Sequence, residues 1–256
     1  LSSSSIIGNI LESLPSNNRV ERIWKLAQVD FLRRYYNDKL GLLWALIKPV
    51  FEAFLYYVAF KYLLAVKTPD FGLFIFGGII TWMVFSEGTS RSVTILNDKK
   101  YLIDNIQFNR ADLYISFIIS VFFGFFFNLG AFFIICLILG QSISVNLLYL
   151  PLVLISIYLI AIGVSFVLST LQPFVKDITH IWDMVILTGF WLSGIFFDPE
   201  IILGKAEWFG FVNPFIGIIM NIRGMFIDSF DINMFWMLYG GYIIFRKYSG
   251  LALEKL

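Results

Sequence analysis

The sequence predicts an all-α membrane protein with six transmembrane helices, on three observations. Six apolar stretches take up about half of the 256 residues, charge gathers between them, and lysine and arginine fall unevenly on alternate connecting segments. Hydrophobic residues are 59% of the chain and charged ones 14%, against about 45–50% and about 25% in soluble domains. A soluble core cannot hide that much apolar surface. A span needs roughly 20 residues to cross about 30 Å of hydrocarbon. The candidates are Leu40 to Phe60, Phe71 to Phe85, Leu113 to Leu139, Leu147 to Leu171, Ile178 to Phe197 and Ile232 to Phe245. Weakly polar residues extend the second toward Ile95. The sixth is short between Asp231 and Arg246, so it needs snorkelling ends or local thinning.

Residues 1–39 form a cytoplasmic N-terminal segment and residues 40–256 the transmembrane domain. Pro15-Ser16-Asn17-Asn18 reads as a turn and N-cap, after which Val20, Ile23, Trp24, Ala27, Phe31 and Leu32 recur at helical spacing among charged residues. Such a helix suits the membrane interface, with Trp24 and Phe31 in the acyl boundary and the cations toward head groups. The other reading is a cytosolic helix packed on its own protein. In the first span Gly41 permits close helix approach, Trp44 is an interface anchor and Pro49 removes a helical hydrogen bond. Lys48 and Glu52, four residues apart, share a face and either pair as a structural salt bridge or line a hydrated passage or its gate.

The segment from Asn97 to Asn109 mixes charges with Tyr101, Leu102, Ile103, Ile106 and Phe108, as an amphipathic protein-docking helix or a connector lying on the membrane would. Asp177, His180 and Asp183 share a face of the fifth span, as a proton relay or as an ordinary solvated or subunit-contacting face. From 198 to 231 apolar runs broken by Pro199, Gly204, Gly210, Pro214 and Gly217 predict two short helices that re-enter or cap the external side.

With six spans, the side holding both ends carries Arg19, Arg22, Lys25, Arg33, Arg34, Lys39, Arg91, Lys99, Lys100, Arg110, Lys176, Arg246, Lys247 and Lys255. The opposite side carries Lys61, Lys67, Lys205 and Arg223. That bias places both termini in the cytoplasm. No removable signal peptide is evident. A net charge of +1 gives no reason to expect a nucleic-acid partner. Cys136 is the only cysteine and His180 the only histidine, which excludes an internal disulfide and makes a cysteine-based metal cluster, zinc or haem unexpected. There is no GxxxxGK[ST] loop, so the chain shows no ATP site of its own and its energy source is expected to be a partner, which would then hold ATP and magnesium, or an ion gradient; the chain itself is expected to be no enzyme and to hold no cofactor.

Arg34-Tyr35, Leu40-Gly41, Trp44 and Pro49 make an RY, four residues, LGxxW, four residues, P arrangement that resembles the permease subunits of ABC-2 type exporters, in particular those of O-antigen and other cell-surface polysaccharides. The resemblance continues through Gly77, Trp82 and Phe85, through Asn97 with Leu102-Ile103, through Lys176-Asp177, through Asn213-Pro214 with Arg223, and through Phe245-Arg246-Lys247. It covers nearly the whole chain in order. One departure is Asn109 after Phe108, where the family often has proline.

The resemblance implies a bacterial inner-membrane transport subunit that works with a second copy of itself and two nucleotide-binding ATPase subunits. It implies that 97–109 couples to the ATPase, that 198–231 acts as an external gate region in which Asn213, Pro214 and Arg223 serve gating or structure, and that the cargo is a polysaccharide on undecaprenyl pyrophosphate. Arg33, Arg34 and Lys39 then lie where they attract its phosphates or anchor anionic lipid. Aromatic residues are 19% of the chain, and flat rings slide past sugar faces without demanding a fixed charge pattern, although they also fill membrane cores. Tyr35, Tyr36, Tyr56, Tyr57, Trp191 and Phe196 are the passage candidates. A single copy has too few spans to surround a wide polymer, so a homodimer is expected. The competing functions are a capsule or teichoic-acid exporter, a small-molecule exporter and an intramembrane lipid-modifying enzyme.

Overall fold

The computed structural model describes residues 18–35, 40–100, 110–142, 144–206 and 208–232, with backbone alone at 110 and 211. The α-helices among them are α1 Arg19–Tyr35, α2 Trp44–Val58, α3 Phe71–Ser92, α4 Ile95–Asp98, α5 Arg110–Ile138, α6 Leu150–Leu171, α7 Ile178–Leu192, α8 Glu200–Leu203, α9 Trp208–Val212 and α10 Phe215–Phe226. Short 3-10 turns, Gly41–Leu43 and Val145–Tyr149, lead into α2 and α6, and a π-helical turn, Ala59–Leu63, ends α2.

Among the described residues, four continuous helical stretches are long and apolar enough to cross a membrane: Gly41–Leu63, Phe71–Ser92, Ala111–Ile138 and Val145–Leu171. They match the first four expected spans, and the second does extend well past Phe85. The fifth is shorter than expected. It stops at Leu192 because Gly194 takes a left-handed φ of 77°, and a Cβ there would lie 2.5 Å from the ring of Pro199. Apart from Ile232 the expected sixth span lies outside the described residues.

α3 is the hub, touched by α2, α5, α6, α7 and α10. From Phe71 to Phe85 its residues are almost all apolar around the circumference and most are buried, as expected for a stretch with no outward face. Thr81, Thr89 and Ser92 each donate their hydroxyl to the carbonyl four residues earlier, so these polar groups are satisfied inside their own helix. Gly77 admits the ring of Phe132 from α5, whose end would lie 3.1 Å from an added Cβ.

α7 runs antiparallel to α3. Trp182 Nε1 donates to Thr89 Oγ1 at 3.1 Å, Gly189 lies over Trp82, and Ile195 reaches Gly78. A Cβ at Gly189 would sit 2.5 Å from the Trp82 ring, so glycine sets how closely the two helices approach.

The N-terminal helix packs on its own protein. Asn18 caps it by accepting from the Glu21 N–H at 3.2 Å while its amide reaches the Glu21 carboxylate. Leu26, Ala27 and Val29 are buried, and Trp24 and Phe31 pack edge-on against Phe123 of α5. Arg19 and Arg22 bind the fully buried carboxylate of Asp112, and Lys99 pairs with Asp30. Phe31 is thus held against the protein, while Trp24 packs on Phe123 with half of its surface left open. The aromatic spacing that suits an interface suits a neighbouring helix equally well.

Gly41 also differs from expectation. An added Cβ would meet nothing closer than 3.6 Å, but φ is 50°, so glycine serves the left-handed bend into the first span and not close helix packing.

Candidate functional site

Three of the six passage candidates meet in one aromatic seam between α2 and the end of α7. Tyr56 packs on Phe190 and Phe196, with ring centroids 5.8 and 4.8 Å apart, and Trp191 lies 4.9 Å from Phe196. Phe60 stacks on Phe196 at 4.8 Å with the planes 7° apart. Phe196 is buried beneath this group while Trp191 is 47% exposed, so Phe196 supports the rings that face outward. Phe60 and Phe190 are members that sequence reasoning missed. Phe60 sits one helical turn beyond Tyr56 and Phe190 adjoins Trp191, spacing that could have found them.

The other candidates lie elsewhere. Tyr57 turns to Phe71 and Tyr62, at the beginning of α3. Tyr35 points into α5, its hydroxyl 3.1 Å from where a Cβ of Gly124 would stand. Burial, and then the nearby Glu87 carboxylate, push its phenol above the ordinary range. Tyr36 lies outside the described residues.

Of the expected lipid-phosphate cations, Arg34 faces inward. It donates to Ser120 at 3.0 Å, pairs with Glu87 at 3.2 Å and lies over the Phe117 ring. Arg33 is exposed, and Lys39 lies outside the described residues. The RY pair therefore fastens α1 to α3 and α5. Lys48 and Glu52 are both exposed on α2, beside Phe51 and Phe54, and no ion pair within 4 Å joins them among the described residues. Asp177, His180 and Asp183 are exposed as well. Tyr101, Leu102, Ile103 and Ile106 lie outside the described residues. α4 and Lys99 bring the chain to the start of that segment, and Asp112 picks it up beyond.

The region 198–231 contains three described helices where two were expected. α8 and α9 are single turns, and α10 is a longer helix that lies alongside α3. Phe215, at the start of α10, packs on Phe85 at 4.3 Å and Trp82 at 5.3 Å, both near the middle of α3. Arg223, two turns on, reaches Phe74 near the beginning of α3. The segment therefore dips toward mid-span and returns. Asn213-Pro214 forms its deepest turn: Asn213 donates to Ser193 Oγ at 3.0 Å and accepts from the Phe215 N–H, while Pro214 supplies the N-cap geometry of α10. Beside it lies a cavity of about 550 Å³ lined by Trp82, Phe85, Ile160, Val164, Trp182 and Phe215 among others. Its walls are overwhelmingly apolar, which suits hydrocarbon and not sugar hydroxyls.

Among the described residues no group of three or more histidines, cysteines or carboxylates gathers to hold a metal. Cys136 is free and buried.

The chain is similar to two O-antigen export system permease proteins RfbA of Klebsiella pneumoniae, each 24% identical over 201 residues that cover 78% of both chains. It is also similar to the O-antigen export system permease protein RfbA of Myxococcus xanthus, 19% identical over 205 residues covering 79% of each. The family model described as ABC-2 type transporter matches residues 21–227, from the start of α1 to the end of α10. By that match, which takes in every helix described above, this multi-pass membrane protein belongs to the ABC-2 type transporter family of permeases.

Proposed function

We propose that this chain is the transmembrane subunit of an ATP-driven exporter that moves an undecaprenyl-pyrophosphate-linked O-antigen polysaccharide from the cytoplasmic to the periplasmic side of a bacterial inner membrane. Two copies pair with the outward faces of α2 and α7 toward one another, and the glycan passes along the seam headed by Tyr56 and Trp191. Two nucleotide-binding ATPase subunits dock on 97–109 from the cytoplasm, where both termini lie. Arg33 and Lys39 meet the pyrophosphate at entry, Lys48 and Glu52 lie along the passage, and the re-entrant segment with Asn213, Pro214 and Arg223 closes its external end.

The observation that carries this reading is the aromatic seam, which brings rings from two different spans to one half-open surface that also bears a cation and a carboxylate. Rings on such a face offer planar contact to sugars, while a purely lipid-facing helix has no use for Lys48 and Glu52. The three relatives' names supply the cargo class.

The test is transport of lipid-linked glycan into vesicles by the purified permease and ATPase complex. Tyr56→Ala with Trp191→Ala is expected to abolish most transport while leaving insertion, dimer and basal ATP hydrolysis in place. Full transport by the alanine variant rejects the passage assignment, and equal rescue by leucine at both positions points to packing instead. Replacing Leu102 and Ile106 by aspartate is expected to release the ATPase, and undiminished co-purification would place the docking site elsewhere. Cysteines at Ser3 and Ser249, in a Cys136→Ala background, are expected to label only from the cytoplasm.

A further inference from the structure

Arg223 is 1% exposed and makes no ion pair within 4 Å among the described residues. All its described hydrogen bonds go to backbone. Nε donates to the Phe74 carbonyl at 3.1 Å, Nη1 to Gly194 at 2.8 Å and Nη2 to Ile195 at 3.0 Å. Its guanidinium also lies over the Phe74 ring, 3.3 Å from the centroid.

The acceptors explain the arrangement. Gly194 and Ile195 follow the end of α7, where the chain has left its helix and their carbonyls have no helical donor. Carbonyls left unpaired at membrane depth are strongly disfavoured, because no water is there to bond them. A planar fork of fixed geometry satisfies both at once and still reaches α3 through Nε, which a single ammonium cannot do. The neighbours leave room for little else. An added Cβ at Gly78 would stand 3.0 Å from Nη2, and Gly194 holds a left-handed backbone. Asn213, just ahead of α10, donates to Ser193 Oγ, so the consecutive residues after α7, Ser193 to Ile195, hold α10 both before its first turn and, through the long Arg223 side chain, near its last.

We propose that Arg223 is a positioning residue that clasps α3, the end of α7 and α10 into one rigid body, so that the external region travels with these helices and does not swing away as a separate flap. Swinging α10 off α7 would strip a buried cation of its acceptors and bare two non-helical carbonyls together. The external face therefore opens where packing is absent, along the outward faces of α2 and α7. The clasp stands on the geometry alone, and only its consequence for opening rests on the export function proposed above.

The experiment uses Ser193→Cys with Asn213→Cys in a Cys136→Ala background, in the complex with its ATPase, and diamide as the reagent, a small two-electron oxidant that takes up both thiol hydrogens and closes the pair to a disulfide. Cross-linking yield is measured without nucleotide and in the vanadate-trapped state. A rigid body gives the same high yield in both, whereas a clear drop in either state overturns the proposal. Adding Arg223→Met, which keeps bulk without donors, is expected to lower the yield, with Arg223→Lys in between. An unchanged yield in both variants removes Arg223 from the role. In vesicles the cross-linked protein is expected to export within about twofold of the same variant before reagent. A loss on cross-linking that reductant reverses means that the two segments must part, and it overturns the proposal. If the variant exports no glycan even before the reagent while the unmutated complex does, the two-state yields decide. If the unmutated complex exports none either, the proposed function fails and the clasp is judged by those yields alone.

Discussion

The first and second spans have equal mean hydropathy and nearly equal length, 23 and 22 residues, yet 78% of the second's apolar window is buried and only 17% of the first's. Hydropathy sends a helix into the bilayer and leaves open what it will face there. α3 carries Gly77, Gly78 and Gly88 where Phe132, Arg223 and Ile118 press close, so neighbours enclose it on every side. α2 presents Phe51 and Phe54, each more than half exposed, with Lys48 and Glu52 on the same outward surface. The molecule thus divides into a packed scaffold built around α3, with α5, α6 and α10, and an uncovered wall made by α2 and much of α7. Charges in the wall argue against lipid as its sole neighbour, because an ion facing hydrocarbon costs about 2.5–3.5 kcal/mol even by the mildest scales.

The sharpest way to break this division is to overfill the scaffold. At Gly224 an added Cβ would lie 2.5 Å from the backbone of Asp231, and backbone cannot turn aside as a side-chain tip can. Gly224→Ala is expected to cost about 3 kcal/mol, read as loss of monodisperse protein or a large fall in thermal midpoint. Wild-type stability in that variant would show that the return of the chain past α10 is loosely held. Gly189→Ala presses on Trp82, itself wedged against Phe85 and Phe215, and is expected to cost about 1–3 kcal/mol. The control is Gly130→Ala, where nothing stands within 4 Å and the change is expected to be neutral or slightly stabilising.

On the wall the expectation reverses. Lys48→Met with Glu52→Gln is expected to leave the thermal midpoint nearly unmoved, within about 0.5 kcal/mol, while reducing transport. A rise in stability of several times that size, with transport intact, would mean that α2 faces lipid and that the comparison between the two spans has been misread.

The smallest effect is expected at the tether between Ser142 and Asp228. Asp228 accepts from both the hydroxyl and the N–H of Ser142, and those two bonds hold its carboxyl below the ordinary range although it is fully exposed. With a depressed native value, its stabilising contribution is complete above the unfolded pKa of about 3.9 and disappears as pH falls through the lower native one. Asp228→Asn should therefore melt slightly below wild type at neutral pH, and the two curves should converge in acid. A gap that widened with acidification would assign the contact the wrong sign.

What was legible in the sequence divides along physical lines. Composition and run length determined that the chain is helical and belongs in a bilayer, because the cost of unpaired backbone in hydrocarbon leaves few alternatives. They placed the first four spans to within a few residues, and ordered motifs from Arg34-Tyr35 to Asn213-Pro214 and Arg223 carried the family resemblance. Only the tertiary structure decided which surface each residue meets. Helical periodicity reports angle around an axis and carries no information about which neighbour lies at that angle. So Trp24 and Phe31, whose spacing suits a lipid surface, pack on Phe123, and Arg34 turns from head groups to Glu87 and Ser120. The seam of Tyr56, Phe60, Phe190, Trp191 and Phe196 joins residues more than a hundred positions apart, and the clasp of Arg223 depends on carbonyls that α7 leaves unpaired by ending at Leu192. Backbone acceptors look alike in every sequence, so where they fall free, and which buried cation reaches them, is settled only when the helices have packed.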